Sequence, residues 1–183
     1  MENQTIIGLD FDDYEASTDT HRSGHTVGDV RRDQATGKTY LYVQAGTVLI
    51  NDAMAANEVL SIKSFTGSYG AGFVVTNDVS AGLDASYPWF AGRANSACPE
   101  STATVDYFCW VQISGLGTLK TDAGDDIAIN ELVTVDETVD GACDRVADNT
   151  TITDRILRGL CGRAYAADGA ATVTAALIRP FWL

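Results

Sequence analysis

The chain has 183 residues, of which 45% are hydrophobic, and a formal net charge of -13. That length suits one domain or two small ones, and it buries a core without needing disulfide staples. The acidity argues against nucleic acid as a partner, because phosphate contact depends on Lys and Arg, and it argues equally against anionic membranes.

The opening "MENQTIIGLDFDD" lacks the basic start and continuous apolar run of a secretion signal, so synthesis in a cytosol is expected. Residues 1–26 are polar, with Asp10, Asp12, Asp13 and Glu15 close together, yet Ile7, Leu9 and Phe11 alternate with polar or small neighbours. This is strand patterning in a segment with too little apolar surface for a core of its own. It predicts an extended N-terminal arm, ordered by lying on another surface and adding a strand to a neighbour's sheet. His21 and His25 have the i, i+4 spacing of helical zinc ligands, but "HRSGH" contains Gly24 and lacks the glutamate of a metalloprotease helix. They read as solvated or partner-contacting side chains, and no metal site is assigned.

From Val27 onward the chain is rich in Val, Thr, Ile, Tyr and Ala and is interrupted about every ten residues by Gly, Asn or Asp, the rhythm of short antiparallel strands. Val30 to Arg32, a turn at Thr36 and Gly37, and Tyr40 to Ala45 form a predicted hairpin. "TGKT" at Thr36 to Thr39 resembles the end of a phosphate-binding loop, but Arg32 stands where the first glycine belongs. A turn explains Gly37 without any ligand.

The chain also echoes itself. Tyr40, Tyr42, Val43 and Gln44 match Phe108, Trp110, Val111 and Gln112; Gly46 and Thr47 match Gly117 and Thr118; Asn57 and Glu58 match Asn130 and Glu131. "FAGRA" from Phe90 recurs as "LCGRA" from Leu160, and Ala103 to Val105 recur as Ala171 to Val173. The matches keep their order at a roughly constant offset, which points to two copies of one supersecondary unit. The expected fold is all-β: a β-rich domain over 27–183, forming a compact barrel or sandwich of short antiparallel strands, with repeat-like units about 38–105 and 106–183.

"YFCWVQISGLGTL" from Tyr107 places Tyr107, Cys109, Val111 and Ile113 on one face of a strand and Phe108 and Trp110 on the other, so both faces should be buried. Cys109 is then a small core residue, and a nucleophilic role would need a base beside it. Cys98, Cys109, Cys143 and Cys161 are never two residues apart, which fits free thiols. The carboxylates of "LDFDDYE" and "TDAGDDIAIN" read as acidic surface, with a loosely held cation at Asp122, Asp125 and Asp126 as the alternative. No catalytic residue and no cofactor is assigned. In "TDRILRGLCGRAYAA", Ile156, Leu160 and Ala164 share a helical face, but Gly159 and Gly162 each cost a helix about 1 kcal/mol, so strand or loop is predicted, with one helical turn near Asp154. In "ALIRPFWL", Pro180 ends strand pairing and leaves Phe181, Trp182 and Leu183 as an apolar end.

Taken together, "GKTYLYVQA", "YFCWVQISGLGTL" followed by "DAGDDIAINELVTVDETVDG", and "GRAYAADGAATVTAALIRP" are similar to the decoration, or cement, proteins of tailed bacteriophage capsids. The likeness runs from about Gly28 to Pro180. It implies a non-enzymatic virion protein, often a homotrimer, that binds the major capsid protein on the outside of the mature head and stabilises the lattice. The contact residues expected are Ile6, Ile7, Leu9, Phe11 and Tyr14 in the arm and Phe181, Trp182 and Leu183 in the tail, because apolar residues there have little core of their own to enter. The long acidic N-terminus and "SYPWFAGRANSACPEST", read as an insert between the units, depart from the family pattern. Two other functions compete: a carbohydrate-binding or host-recognition surface using Tyr87, Trp89 and Phe90, and a small hydrolase using Asp125 and Asp126.

Overall fold

The structure, a computed structural model, describes residues 10–20, 23–46, 53–67, 70–78, 89–122, 126–136, 138–146, 159–167 and 171–178. These residues form an all-β fold of eleven strands: β1 (Tyr14–Ala16), β2 (Val30–Arg32), β3 (Thr39–Ala45), β4 (Val59–Gly67), β5 (Gly70–Thr76), β6 (Phe90–Ala94), β7 (Tyr107–Lys120), β8 (Leu132–Val135), β9 (Cys143–Arg145), β10 (Leu160–Ala164) and β11 (Thr172–Leu177). The stretch read as a possible helical turn near Asp154 lies outside the described residues, while "LCGRA" is strand β10.

The β2–β3 hairpin pairs Arg31 with Tyr40. Its turn is closed by Asp33 N donating to Lys38 O at 2.9 Å and Gly37 N donating to Asp33 O at 2.8 Å, and Gly37 takes a φ of 72° that suits glycine. The "TGKT" segment is thus the turn and start of a hairpin.

Strands β3, β5, β4, β6 and β7 then close on themselves, because β7 pairs with both β6 and β3. All pairings in this ring are antiparallel except β3 with β5, where Gln44 lies opposite Val74 in parallel. The result is a barrel, whose closure removes the exposed sheet edges of an open structure. A second set follows the same scheme: β7 pairs with β11, β11 with β10, β10 with β8 and β8 with β9, all antiparallel, and Thr121 just beyond β7 bridges Cys143 of β9 in parallel. The 14-residue β7 serves both rings, Phe108 to Ser114 in the first and Gly115 to Lys120 in the second.

The turn that introduces each ring's second strand is built twice from the same atoms. Asn57 and Asn130 have φ of 73° and 72°; their amides donate to Ala94 O and Ala164 O at 2.9 Å; and Ala94 N and Ala164 N donate to Glu58 O and Glu131 O at 2.8 Å. Each glutamate carboxylate also accepts the amide three residues earlier, Ala55 at 2.9 Å and Ala128 at 2.7 Å. Asparagine tolerates the left-handed backbone better than most residues, and the glutamate satisfies an amide the turn leaves free.

Two cores result. Leu41, Val43, Leu60, Ile62, Val75, Cys98, Cys109, Val111 and Ile113 fill the first barrel, and Leu119, Ile127, Val133, Val135, Cys143, Cys161, Val173 and Ala175 fill the second. Strands β4 and β6 form the wall between them, for Leu60 and Ala91 face the first core while Val59 and Phe90 face the second. Every residue of β6 is buried. For residues 89–102, the described part of it, this corrects the reading of 86–102 as an insert. Phe90 to Ala94 is a barrel strand and Cys98 a core residue, because a strand walled between two cores must be apolar on both faces.

Candidate interface surface

Outside the first barrel, Tyr40, Tyr42, Phe108 and Trp110 make an aromatic face on β3 and β7, all buried. Residues 10–20 and 23–29 of the same chain cover it. Phe11 stacks on Tyr40 with ring centroids 4.1 Å apart and meets Trp110 edge-on at 5.5 Å. The imidazole of His25 lies 5.0 Å from Trp110 and 5.4 Å from Tyr42, and the Arg31 guanidinium sits 5.7 Å over Trp110. Polar contacts pin the strap: the Tyr42 hydroxyl donates to Glu15, Ser23 N donates to Glu15 Oε2 at 2.7 Å, and Asn95 Nδ2 donates to Phe11 O at 3.2 Å and to the Asp12 carboxylate. Strand β1 adds to β7 with Tyr14 opposite Cys109. The described part of the arm therefore adds its strand to its own sheet, because an aromatic face of this size needs cover and the nearest apolar segment in sequence supplies it.

Of the expected contact residues, Ile6, Ile7, Leu9, Phe181, Trp182 and Leu183 lie outside the described residues. Phe11 is committed to the chain's own aromatic cluster, whereas Tyr14 keeps 42% of its surface exposed beside Tyr107. A further apolar patch, unmarked in the sequence reading, sits on the outer face of the second ring. Leu116 lies opposite Ala176, and Ile178 follows two residues on; Leu116 and Ile178 are 48% and 45% exposed. This β7–β11 face occupies the place in its ring that the strap-covered β3–β7 face occupies in the first. A leucine between two glycines, as in "SGLGTL", gives little alternation to mark it.

The chemistry-bearing side chains are absorbed in holding the frame. Gln112 is fully buried; it accepts from Arg93 Nη1 at 2.9 Å and donates to Leu116 O at 3.0 Å, while Arg93 Nη2 donates to Asn95 Oδ1 at 2.9 Å. Burial lowers the pKa of Arg93, against the opposing pull of Tyr40 and Asp12. Where the two rings meet, Glu58 accepts from Asn77 Nδ2 at 2.9 Å and from Lys120 Nζ at 3.1 Å, and Lys120 also donates to Asp140 O at 3.0 Å. Cys109 faces the first core while His25 packs on Trp110, on the opposite face of β7, so the imidazole is not placed to act as its base. The Cys98 thiol is pushed up by its hydrogen bond with Cys109 and by burial, and the Cys161 thiol is pushed up by burial, which suppresses thiolate chemistry at both.

Among the described residues no three His, Cys, Asp or Glu side chains converge to hold a metal ion; Asp125 lies outside them. Phe90 is fully buried in the second core, so it is not available to a sugar-stacking platform, and Trp89 is half-buried with edge-on contact to Phe65 at 5.9 Å. Tyr87 lies outside the described residues.

No family model matches the chain. No curated protein matches it either. Among solved structures it is similar to the N base of head fiber gp8.5 of bacteriophage phi29, at 14% identity and a TM-score of 0.46, over 77% of this chain and 96% of that one.

Proposed function

We propose that this protein is a structural component of a tailed-phage virion that binds the major capsid protein on the outside of the mature head and braces the lattice, acting as a homotrimer without catalysis. The observation that carries the reading is the interlocked frame. One long strand belongs to both rings, and the polar groups of Glu58, Gln112 and Arg93 are spent on internal contacts. Exposed apolar groups are left on the outside, among them Tyr14, Leu116 and Ile178. A rigid body with small apolar contacts suits a brace, because several weak contacts made by an oligomer become strong once the first has formed. The sequence resemblance to decoration proteins supports the same reading, and the charge of -13 suits an outward face turned to solvent. If the patch recognised on the lattice exists only after expansion, binding favours the expanded state by mass action.

These residues are assigned to the lattice contact together with this patch: Ile6, Ile7 and Leu9, which precede the strap in sequence, Tyr14 on strand β1 within it, and Phe181, Trp182 and Leu183, which follow Ile178 in sequence. The test is occupancy on expanded empty heads, measured by co-sedimentation with the full chain, with a chain lacking residues 1–9, and with a Leu116→Asp, Ile178→Asp chain. Both altered chains are expected to lose occupancy at least tenfold. Undiminished occupancy in both would overturn the assignment, and failure of the full chain to bind any head lattice would overturn the function.

A further inference from the structure

The two rings correspond strand for strand. In the first, Arg93 of β6 lies opposite Gln112 of β7, which lies opposite Tyr40 of β3; in the second, Arg163 of β10 lies opposite Ala176 of β11, which lies opposite Leu116 of β7. Each row faces outward, since Ala94, Val111 and Leu41 beside the first, and Ala164 and Ala175 beside the second, belong to the cores. The first row lies under the strap, whereas Arg163, Ala176 and Leu116 are exposed. We infer that the second row is a docking site for an extended segment of a partner protein, one that carries an apolar residue followed by a carboxylate and then adds a short strand to β11.

The strap shows what such a row holds. Phe11 stacks on Tyr40 at 4.1 Å; the next residue, Asp12, accepts from Asn95 Nδ2, and Asn95 Oδ1 accepts from Arg93 Nη2 at 2.9 Å. Two adjacent residues thus serve both ends of the row, an apolar ring at one and a carboxylate toward the arginine at the other. The second row repeats the layout with different side chains. Leu116 stands where Tyr40 does and Arg163 where Arg93 does. Tyr165 stands where Asn95 does, because Ala94 and Ala164 make the same backbone bonds in the twin turns. Tyrosine offers no amide bridge, so a carboxylate would meet the exposed Arg163 guanidinium directly, a charge-assisted contact. Arg163 Nε donates to Asn130 O at 3.0 Å, which fixes the direction of the side chain.

The backbone edge repeats as well. Beyond Val111 and Gln112, where β6 pairs, β7 receives β1 at Tyr107 to Cys109. Ala175 corresponds to Val111, so Val173 corresponds to Cys109. Beyond Ala175 to Leu177, where β10 pairs, Thr172 and Val173 are paired with β7 alone among the described residues. An extended segment satisfies such an edge by adding a strand, with its backbone supplying affinity and its side chains selection. Charge decides the class of occupant: an acidic segment complements Arg163, and a basic one would set like charge against it. That the capsid lattice supplies the segment rests on the function proposed above; the peptide site itself does not.

The test uses the full chain and a labelled synthetic peptide, LDFDDYEAS, which copies residues 9–17. In fluorescence anisotropy the peptide should bind saturably at one site, and about tenfold more weakly to Leu116→Asp and to Arg163→Glu chains, both changed at exposed positions. A peptide carrying Asp12→Lys should bind the unaltered chain about tenfold more weakly, a comparison that no folding defect can mimic. A photoreactive ring in place of Phe11 in the peptide should cross-link to residues 115–120 or 172–178. Absence of binding, equal affinity of the Asp12→Lys peptide, or cross-links to β3, where the peptide would have displaced the strap, would each overturn the proposal. Self-association of the full chain that Leu116→Asp abolishes, without peptide binding, would overturn it in favour of a second copy as occupant. Peptide binding at residues 115–120 or 172–178 by a chain that binds no head lattice would uphold the site and overturn the lattice function.

Discussion

Replacing Glu58 by alanine should cost far more than the same change at Glu131, although the two residues occupy the same position in twin turns. Each carboxylate accepts one amide of its own turn, Ala55 N at 2.9 Å or Ala128 N at 2.7 Å, a contact worth about 1 kcal/mol. Only Glu58, among the described contacts, reaches further, to Asn77 Nδ2 at 2.9 Å and Lys120 Nζ at 3.1 Å. A hydrogen bond to a charged acceptor contributes about 1.5 kcal/mol or more, and its loss leaves the Asn77 amide half-buried without that acceptor. The Lys120 side chain is 40% exposed, so its ion pair adds no more than about 0.5 to 1 kcal/mol. Glu58→Ala is thus expected to lose about 3 kcal/mol and Glu131→Ala about 1 kcal/mol. The assay is equilibrium denaturation followed by tryptophan fluorescence, with thermal melting as a check, where a 2 kcal/mol difference corresponds to roughly 4 to 8 °C. Equal losses in the two variants would refute the claim that Glu58 stitches the two rings together.

Gly162→Ala should destabilise by about 2 to 3 kcal/mol in the same assay, because an added Cβ would run into Ala176 O and the Leu177 backbone across the β10–β11 pairing. Trp110→Ala, at a side chain 1% exposed beneath Phe11, His25 and Arg31, should lose about 3 to 5 kcal/mol, and limited proteolysis should then cut within residues 10–29 before any other site. His25 has a pKa lowered from 6.5 by burial and by Arg31, against the opposing pull of Glu15 and Asp29. The folded chain thus favours neutral imidazole, so this contribution is full above pH 6.5 and is lost as pH falls from there through the folded pKa. His25→Phe should keep the ring contacts and flatten the fall in stability between about pH 6.5 and 5; a slope identical to that of the unaltered chain would refute it.

Local patterning made the strands legible. Alternation marked Tyr107 to Ile113 as apolar on both faces, and both faces are buried, one against the first core and the other under the strap. The hairpin at Arg31 and Tyr40 and the strand character of "LCGRA" followed from turn residues and from the cost of glycine in a helix. The paired Asn-Glu dipeptides proved to sit in turns with the same hydrogen bonds, since a left-handed backbone position with a carboxylate next to it leaves a mark in sequence. The exposed patch was far less legible. Leu116 and Ile178 lie far apart in sequence, and only the pairing of β7 with β11 brings their stretches side by side.

By itself the sequence determined which residues had to leave water and which turns had to break the strands, because period-two alternation and backbone preferences are local properties. Beyond the β2–β3 hairpin, it could not determine which strand neighbours which. That choice rests on contacts between residues far apart in the chain, and only tertiary structure decided it. Folding made β7 common to two rings, turned a supposed insert into the β4–β6 wall between two cores, and laid the acidic arm over the chain's own Trp110. The physical reason is that a pleated strand declares its two faces in its side chains, but its two edges are backbone, identical in every residue, and so carry no label of the partner they will meet.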